Sequence, residues 1–228
     1  MESNSTAILI KIKLRHSLGR PSRSDFVQSL FVDLVSSYFY SEGGVDMNIL
    51  IINCSPVRNG ATAEIVNLVK EHVEEGNVVK SVCIDDYDIK LCKGCRKCHE
   101  TAKCFQEDDV DKLMVTYDWA DKIVSVSPSY WADIPGQFKV FIDRCTPWCN
   151  THQPHAKIKS GKKGYTIALR TGPSMPECER IISSIEHFHG HLEIESCGKL
   201  GLCGIEYKED LEDRKEEIKD FCELIKNS

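Results

Sequence analysis

Four cysteines crowd one short stretch, at Cys92, Cys95, Cys98 and Cys104, with the spacing C-x2-C-x2-C-x5-C. Four thiolates in so small a volume form a soft ligand set, the kind that favours an iron-sulfur cluster or zinc. Zinc sites more often pair two C-x2-C units across a longer gap, and a loop of metal-free thiols is the third reading. Only one such run is present, so one centre is the ceiling. Lys93, Arg96, Lys97 and Lys103 lie among the cysteines and are expected to offset their negative charge and lower their pKa values.

Two further stretches carry chemistry. Asn53-Cys54-Ser55-Pro56-Val57-Arg58-Asn59-Gly60-Ala61-Thr62 leads directly into a helical pattern. The N–H groups of a helix start, hydroxyls at Ser55 and Thr62, a glycine at 60 and the cation Arg58 suit a phosphate. A helix cap and turn without any ligand uses the same residue types. The second stretch, Pro128-Ser129-Tyr130-Trp131, places two adjacent aromatics at the end of a strand pattern. Such side chains are costly to expose unless a flat ring stacks on them or they pack on neighbouring helices.

From Met47 onward, short apolar runs alternate with amphipathic stretches at helical spacing, the βαβ signature. Strands are expected at Asn48–Asn53, Val78–Ile84, Ile123–Ser127 and Tyr165–Leu169, with a fifth starting over Leu192–Cys197. Helices are expected from Ala61 to a stop at Gly76-Asn77, after Asp108-Asp109, and over Gly136–Arg144, Glu177–His189 and Leu211–Ile225. Five strands alternating with helices make an α/β, doubly wound sheet. Its ligands belong beyond the carboxyl ends of the strands, where the strand order reverses. The loops after the first, third and fourth strands are therefore the expected functional loops.

Together these loops resemble the NADPH-dependent FMN reductase and iron-sulfur flavoprotein family over nearly all of Met47–Ser228. The family's first loop, Gly-Ser-Pro-Arg-x-x-Gly-Asn-Thr, is matched in type by Ser55, Pro56, Gly60 and Thr62, while Arg58 comes one residue late and Ala61 replaces the polar residue. Its second loop, Pro-x-Tyr followed by Gln-x-Lys and Asp-Arg, is matched by Pro128, Tyr130, Gln137, Lys139, Asp143 and Arg144. The resemblance implies a flavodoxin-like, three-layer fold with a five-stranded parallel sheet in the order 2-1-3-4-5. It implies FMN held by its phosphate at Ser55, Arg58, Asn59, Gly60, Ala61 and Thr62. Pro128, Ser129, Tyr130 and Trp131 then lie beside the isoalloxazine, and Arg170, Thr171 and Gly172 close the pocket. The cysteine run resembles the compact motif that holds one four-iron four-sulfur (4Fe-4S) cluster in iron-sulfur flavoproteins.

The activity so implied is that of an FMN-dependent oxidoreductase with NAD(P)H as cosubstrate, small-molecule or protein electron donors and acceptors, and a homo-oligomeric assembly. The flavin carries the chemistry and no protein general base is required. The alternatives are a cluster-free NAD(P)H:FMN or quinone reductase and a non-catalytic flavodoxin-like electron carrier.

Composition narrows the classes further. A net charge of −6 and a pI near 5.8 argue against nucleic acid. No apolar run is long enough for a membrane. No export signal accompanies the twelve cysteines, which points to the reducing cytoplasm. Cys54, Cys83, Cys197 and Cys222 read as small hydrophobes, and Cys145 and Cys149 as packing residues. His187, His189 and His191 alternate across an expected helix end at Gly190, a poor arrangement for a metal.

Residues 1–46 are expected to be an N-terminal extension outside the functional unit at 47–228. Glu42-Gly43-Gly44, with Val45 and Asp46 before Met47, can be a translated ribosome-binding sequence from a start assigned too far upstream. The competing reading is an arm in which Phe26, Leu30, Phe31 and Leu34 form an amphipathic helix.

Overall fold

The centre of the sheet is built from runs that are apolar on both faces. Strand β1 (Asn48–Asn53) is buried from its second residue on, and β3 (Lys122–Pro128) and β4 (Lys163–Arg170) are buried over all but their ends. The edge strands β2 (Val78–Cys83) and β5 (Glu195–Cys203) carry exposed residues. All pairings are parallel and the order is β2-β1-β3-β4-β5, as the resemblance implies. These elements come from a computed structural model that describes residues 47–228; residues 1–46, where an N-terminal extension and a helix are expected, lie outside the described residues.

Alternation along each strand sends side chains to two separate cores. Ile49, Ile51, Val124, Val126 and Ile167 pack beneath α1 (Ala61–Val73) and α6 (Lys215–Asn227). Leu50, Ile52, Ile123 and Ala168 face α3 (Val110–Trp119), α4 (Gly136–Arg144) and α5 (Met175–His191). The one-turn helix α2 (Cys98–Thr101) belongs to the cysteine loop. At the amino end of the sheet, two buried lysines close the structure by donating to carbonyls, Lys122 Nζ to Ile225 O (2.6 Å) and Lys162 Nζ to Asp118 O (2.7 Å).

Three boundaries differ from the expectation. Helix α5 does not stop at Gly190 but runs to His191, and Glu193 takes the left-handed backbone turn with φ 59°. Leu192 and Ile194, read as the start of a strand, are core residues of that turn, and β5 begins at Glu195. The closing helix starts at Lys215, because Lys208–Arg214 is a 3-10 segment whose Leu211 plugs the core.

Candidate functional site

The carboxyl edge of the sheet brings the three expected loops side by side at the β1/β3 switch point. Cys54 N–H donates to Val126 O (2.9 Å), Ser129 N–H to Leu169 O (2.8 Å) and Ile205 N–H to Arg170 O (2.9 Å), stitching the ends of β1, β3, β4 and β5 together.

In the first loop the side chain of Asn53 does the folding. Its Oδ1 accepts from Ser55 N–H (3.0 Å) and its Nδ2 donates to Val57 O (3.1 Å), an Asx turn that lifts the chain off the sheet. Ser55 Oγ accepts from Val57 N–H (3.1 Å). Helix α1 then starts after Gly60 with no side chain capping it, so its first-turn N–H groups lack side-chain partners and keep the positive end of the helix open. Ser55 and Thr62 are buried beside that end and Asn59 is exposed. A Cβ at position 60 would stand 3.1 Å from Val57 Cγ1. Arg58 is not free: it pairs with Asp85 (3.2 Å) and Asp86 beyond β2, and its hydrogen bond holds the Asp86 carboxyl below the usual range.

The second loop folds into a tight turn. Tyr130 N–H donates to Asp133 O (2.8 Å) and Asp133 N–H returns the bond to Tyr130 O (3.1 Å). The two central residues, Trp131 and Ala132, have φ of 55° and 59°, the geometry of a type I′ turn that normally selects Asn and Gly. Trp131 is therefore backbone-strained, and its side chain is fully exposed at 102%. Packing on neighbouring helices does not occur.

A cavity of about 360 Å³ opens beside the turn, lined by Ser129, Trp131, Ala132, Arg170, Thr171 and Glu177. Arg170 is held there by Glu177 (2.9 Å) and lies over Gly172, where a Cβ would come within 2.5 Å of its guanidinium. Its Nε is buried without a partner.

The four cysteines line one small cavity of about 30 Å³ together with Arg144. Gly94, Arg96 and Ala102 take left-handed φ of 61°, 59° and 53°, which folds the loop back on itself. Its neck is closed by Arg144, whose side chain is 1% exposed. Arg144 Nη1 donates to Lys90 O (2.7 Å), and Nη2 donates to Asp108 Oδ1 (3.2 Å) and Cys104 Sγ (3.4 Å). Asp108 in turn accepts from the N–H groups of Lys90 (3.0 Å) and Val110 (3.2 Å).

The expected lowering of the thiols does not hold at Cys98. Burial pushes its pKa up, and the nearby Cys104, Cys95 and Cys92 add to the rise. Among the described residues, no three His, Cys, Asp or Glu side chains stand in metal-coordinating geometry. The loop thus lines one small cavity with four thiols whose donor chemistry fits iron-sulfur or zinc, but which must close further around an ion.

The structure brings Ser55, Gly60, Ala61 and Thr62 to one helix end and Ser129, Trp131, Arg170 and Thr171 to one cavity. Pro128 ends β3 beneath that cavity, and Tyr130 is 40% exposed on the turn. Asn53, Glu177 and the Arg144–Asp108 pair escaped the sequence reading. Asn53 carries a local signal, an Asn at a strand end; the other partners lie 36 or more residues apart or act through a neighbour.

The sequence profile of the NADPH-dependent FMN reductases matches residues 47–175. An iron-sulfur flavoprotein of Archaeoglobus fulgidus is 33% identical over 124 residues, 54% of this chain and 54% of the relative. Another, of Clostridioides difficile, is 33% identical over 104 residues, 43% of this chain and 45% of the relative. The chain thus spans about half the length of the curated relatives it matches. Among solved structures, the NAD(P)H:quinone oxidoreductase of Methanothermobacter marburgensis superimposes with a TM-score of 0.64 at 13% identity, covering 80% of this chain and 98% of that one. An FMN-dependent NADH-azoreductase of Bacillus anthracis, solved with FMN, gives 0.59 at 14%, covering 79% and 100%. These two likenesses establish the flavodoxin-like fold.

Proposed function

Because this chain belongs to the NADPH-dependent FMN reductase family, we propose that it is an FMN-dependent oxidoreductase of the iron-sulfur flavoprotein type, taking electrons from NAD(P)H. The observation that carries the reading is the pairing, on one sheet edge, of an uncapped helix start with a strained, wholly exposed tryptophan. Bound there, FMN supplies hydride acceptance and electron release.

The chain's own residues bind and orient. The N–H groups at the start of α1, with Ser55 and Thr62, receive the phosphate dianion. Trp131 and Tyr130 offer aromatic faces to the ring system, and the guanidinium of Arg170, on the cavity wall, offers a positive charge beside it. Arg58 reaches the phosphate only by giving up part of its pairing with Asp85 and Asp86.

Cys92, Cys95, Cys98 and Cys104 would hold a four-iron four-sulfur cluster, a reading supported by the names of the relatives and by the shared cavity. The second reading is a cluster-free NAD(P)H:FMN or quinone reductase, since among the described residues the thiols do not stand in metal-coordinating geometry. Twelve unpaired thiols support a cytoplasmic setting. Among the described residues no helix is long and apolar enough to cross a membrane. A homo-oligomer with small-molecule or protein electron partners completes the proposal.

Two measurements test it. Thr62→Ala should weaken FMN more than riboflavin, since only FMN carries the phosphate; equal losses remove the phosphate site from this loop. Anaerobically purified protein should contain iron and acid-labile sulfide and bleach on adding NADH or NADPH. Bleaching without iron leaves the cluster-free reductase, and no bleaching leaves an electron carrier.

A further inference from the structure

Away from the flavin edge, helix α5 ends in His187-Phe188-His189-Gly190-His191. Alternating histidines on a helix do not share a face, and the sequence pattern argues against a metal on that ground. The helix, however, continues through Gly190 to His191, so His187 and His191 are one turn apart and lie on the same face. His189 turns the other way and is fully buried. The Nε2 atoms of His187 and His191 stand 3.0 Å apart, with the ring planes at 82°.

As the rings stand, one N–H donates across that gap to the other ring's lone pair. Asn150 decides which ring accepts. Its Oδ1 accepts from His191 Nδ1–H (3.4 Å) while its Nδ2 donates to Gly190 O (3.4 Å), so His191 carries its proton on Nδ1 and presents a lone pair at Nε2. An outer partner of this kind orients histidine ligands in metal sites. Moving the His187 proton from Nε2 to Nδ1, with no net proton lost, frees both Nε2 lone pairs, and the two rings must then turn off the line joining them to face one ion.

The spacing also bears on the ion. With metal–nitrogen bonds of about 2.0–2.1 Å, a 3.0 Å separation subtends roughly 90–97° at the metal. That is the cis angle of a square-planar or octahedral set, narrower than a tetrahedral zinc site requires, and it matches Cu2+ and Ni2+. The two rings lie on the wall of a cavity of about 410 Å³ lined also by His99, Cys149, Thr151 and His152.

We infer that His187 and His191 bind one divalent transition-metal ion of the Cu2+ or Ni2+ class through their Nε2 atoms, with the remaining positions held by water and turned to this cavity. Among the described residues no third His, Cys, Asp or Glu completes the set, so the ion keeps open positions for an exogenous ligand. The two histidines are not among the residues assigned to the flavin or to the cysteine set, although their cavity shares Asp133 with the aromatic turn and His99 with the cysteine loop.

Equilibrium dialysis of the full chain against Ni2+, which does not oxidise thiols as Cu2+ does, tests the inference. The His187→Gln/His191→Gln double variant should bind one Ni2+ fewer per chain than the wild type. Each single variant should bind that ion at least about tenfold more weakly, the least that loss of an outer partner costs. Bound FMN should be unchanged, because His187 is exposed and His191 half-buried. In the wild type, substoichiometric Ni2+ should broaden the imidazole signals of His187 and His191 before those of His99, His152 and His155. An unchanged Ni2+ count in the double variant, or earlier broadening of the other histidines, overturns the assignment.

Discussion

Replacing Arg144 by methionine would remove the guanidinium that closes the neck of the cysteine loop while leaving most of its volume filled. The variant strands the Asp108 carboxylate, whose side chain is 1% exposed, and deletes the bonds to Lys90 O and Cys104 Sγ. Breaking one side of a buried ion pair costs about 3–5 kcal/mol. For a domain of this size each kcal/mol is worth about 2–4 °C, so the melting temperature should fall by roughly 6–20 °C.

The pH dependence follows from Asp108. Burial alone would raise its pKa, but Arg144 and the N–H groups of Lys90 and Val110 outweigh burial and hold it below the ordinary value. Its contribution is therefore complete above the unfolded value, about 3.9, and is lost as pH falls through the folded one. Thermal unfolding of wild type and Arg144→Met should differ most near neutrality and converge in acid, and Cys104 should be alkylated faster in the variant. A variant that melts with the wild type, or a gap that persists unchanged into strong acid, would refute the role given to this pair.

Trp131→Gly should leave stability unchanged or slightly raised, because glycine adopts φ near 55° without strain, while FMN affinity drops; a clear loss of stability would show that the indole packs on the protein. Burial holds His189 at about 4 against about 6.5 when unfolded, so the unfolded chain binds the extra proton between those values and stability falls by about 3 kcal/mol as pH drops through them. His189→Leu should remove that slope in acid melts, and parallel slopes in the two proteins would sink the assignment. A chain beginning at Met47 should retain its flavin and its melting temperature; loss of either would place residues 1–46 inside the functional unit.

The fold was legible wherever burial leaves a continuous trace in sequence. Ile49 to Ile52 can only be a strand covered on both faces, and Ile65, Val66, Val69 and Val73 can only be the stripe of a helix lying on it. What escaped depends on partners distant in the chain. Leu192 and Ile194 alternate like a strand because both point into the core, yet the backbone turns between them at Glu193. Gly190 looked like a helix stop, but nothing local says that Glu193 takes the left-handed position instead. The exposure of Trp131 was equally hidden, since its residue type favours burial and only the turn between Tyr130 and Asp133 holds it out. Arg144 matched a motif without revealing that its charge closes a loop spanning Lys90 to Asp108.

Helix α4 begins five residues beyond Trp131 and ends at Arg144, in contact with Cys104. Its nine residues rise about 1.5 Å each, roughly 13 Å in all. The aromatic turn and the thiol loop are therefore the two ends of one short rod, pinned at the far end by a buried guanidinium. Their separation is set by covalent geometry and not by loop motion, so one residue added to or removed from α4 would rotate the two ends relative to each other by about 100° as well as shift them.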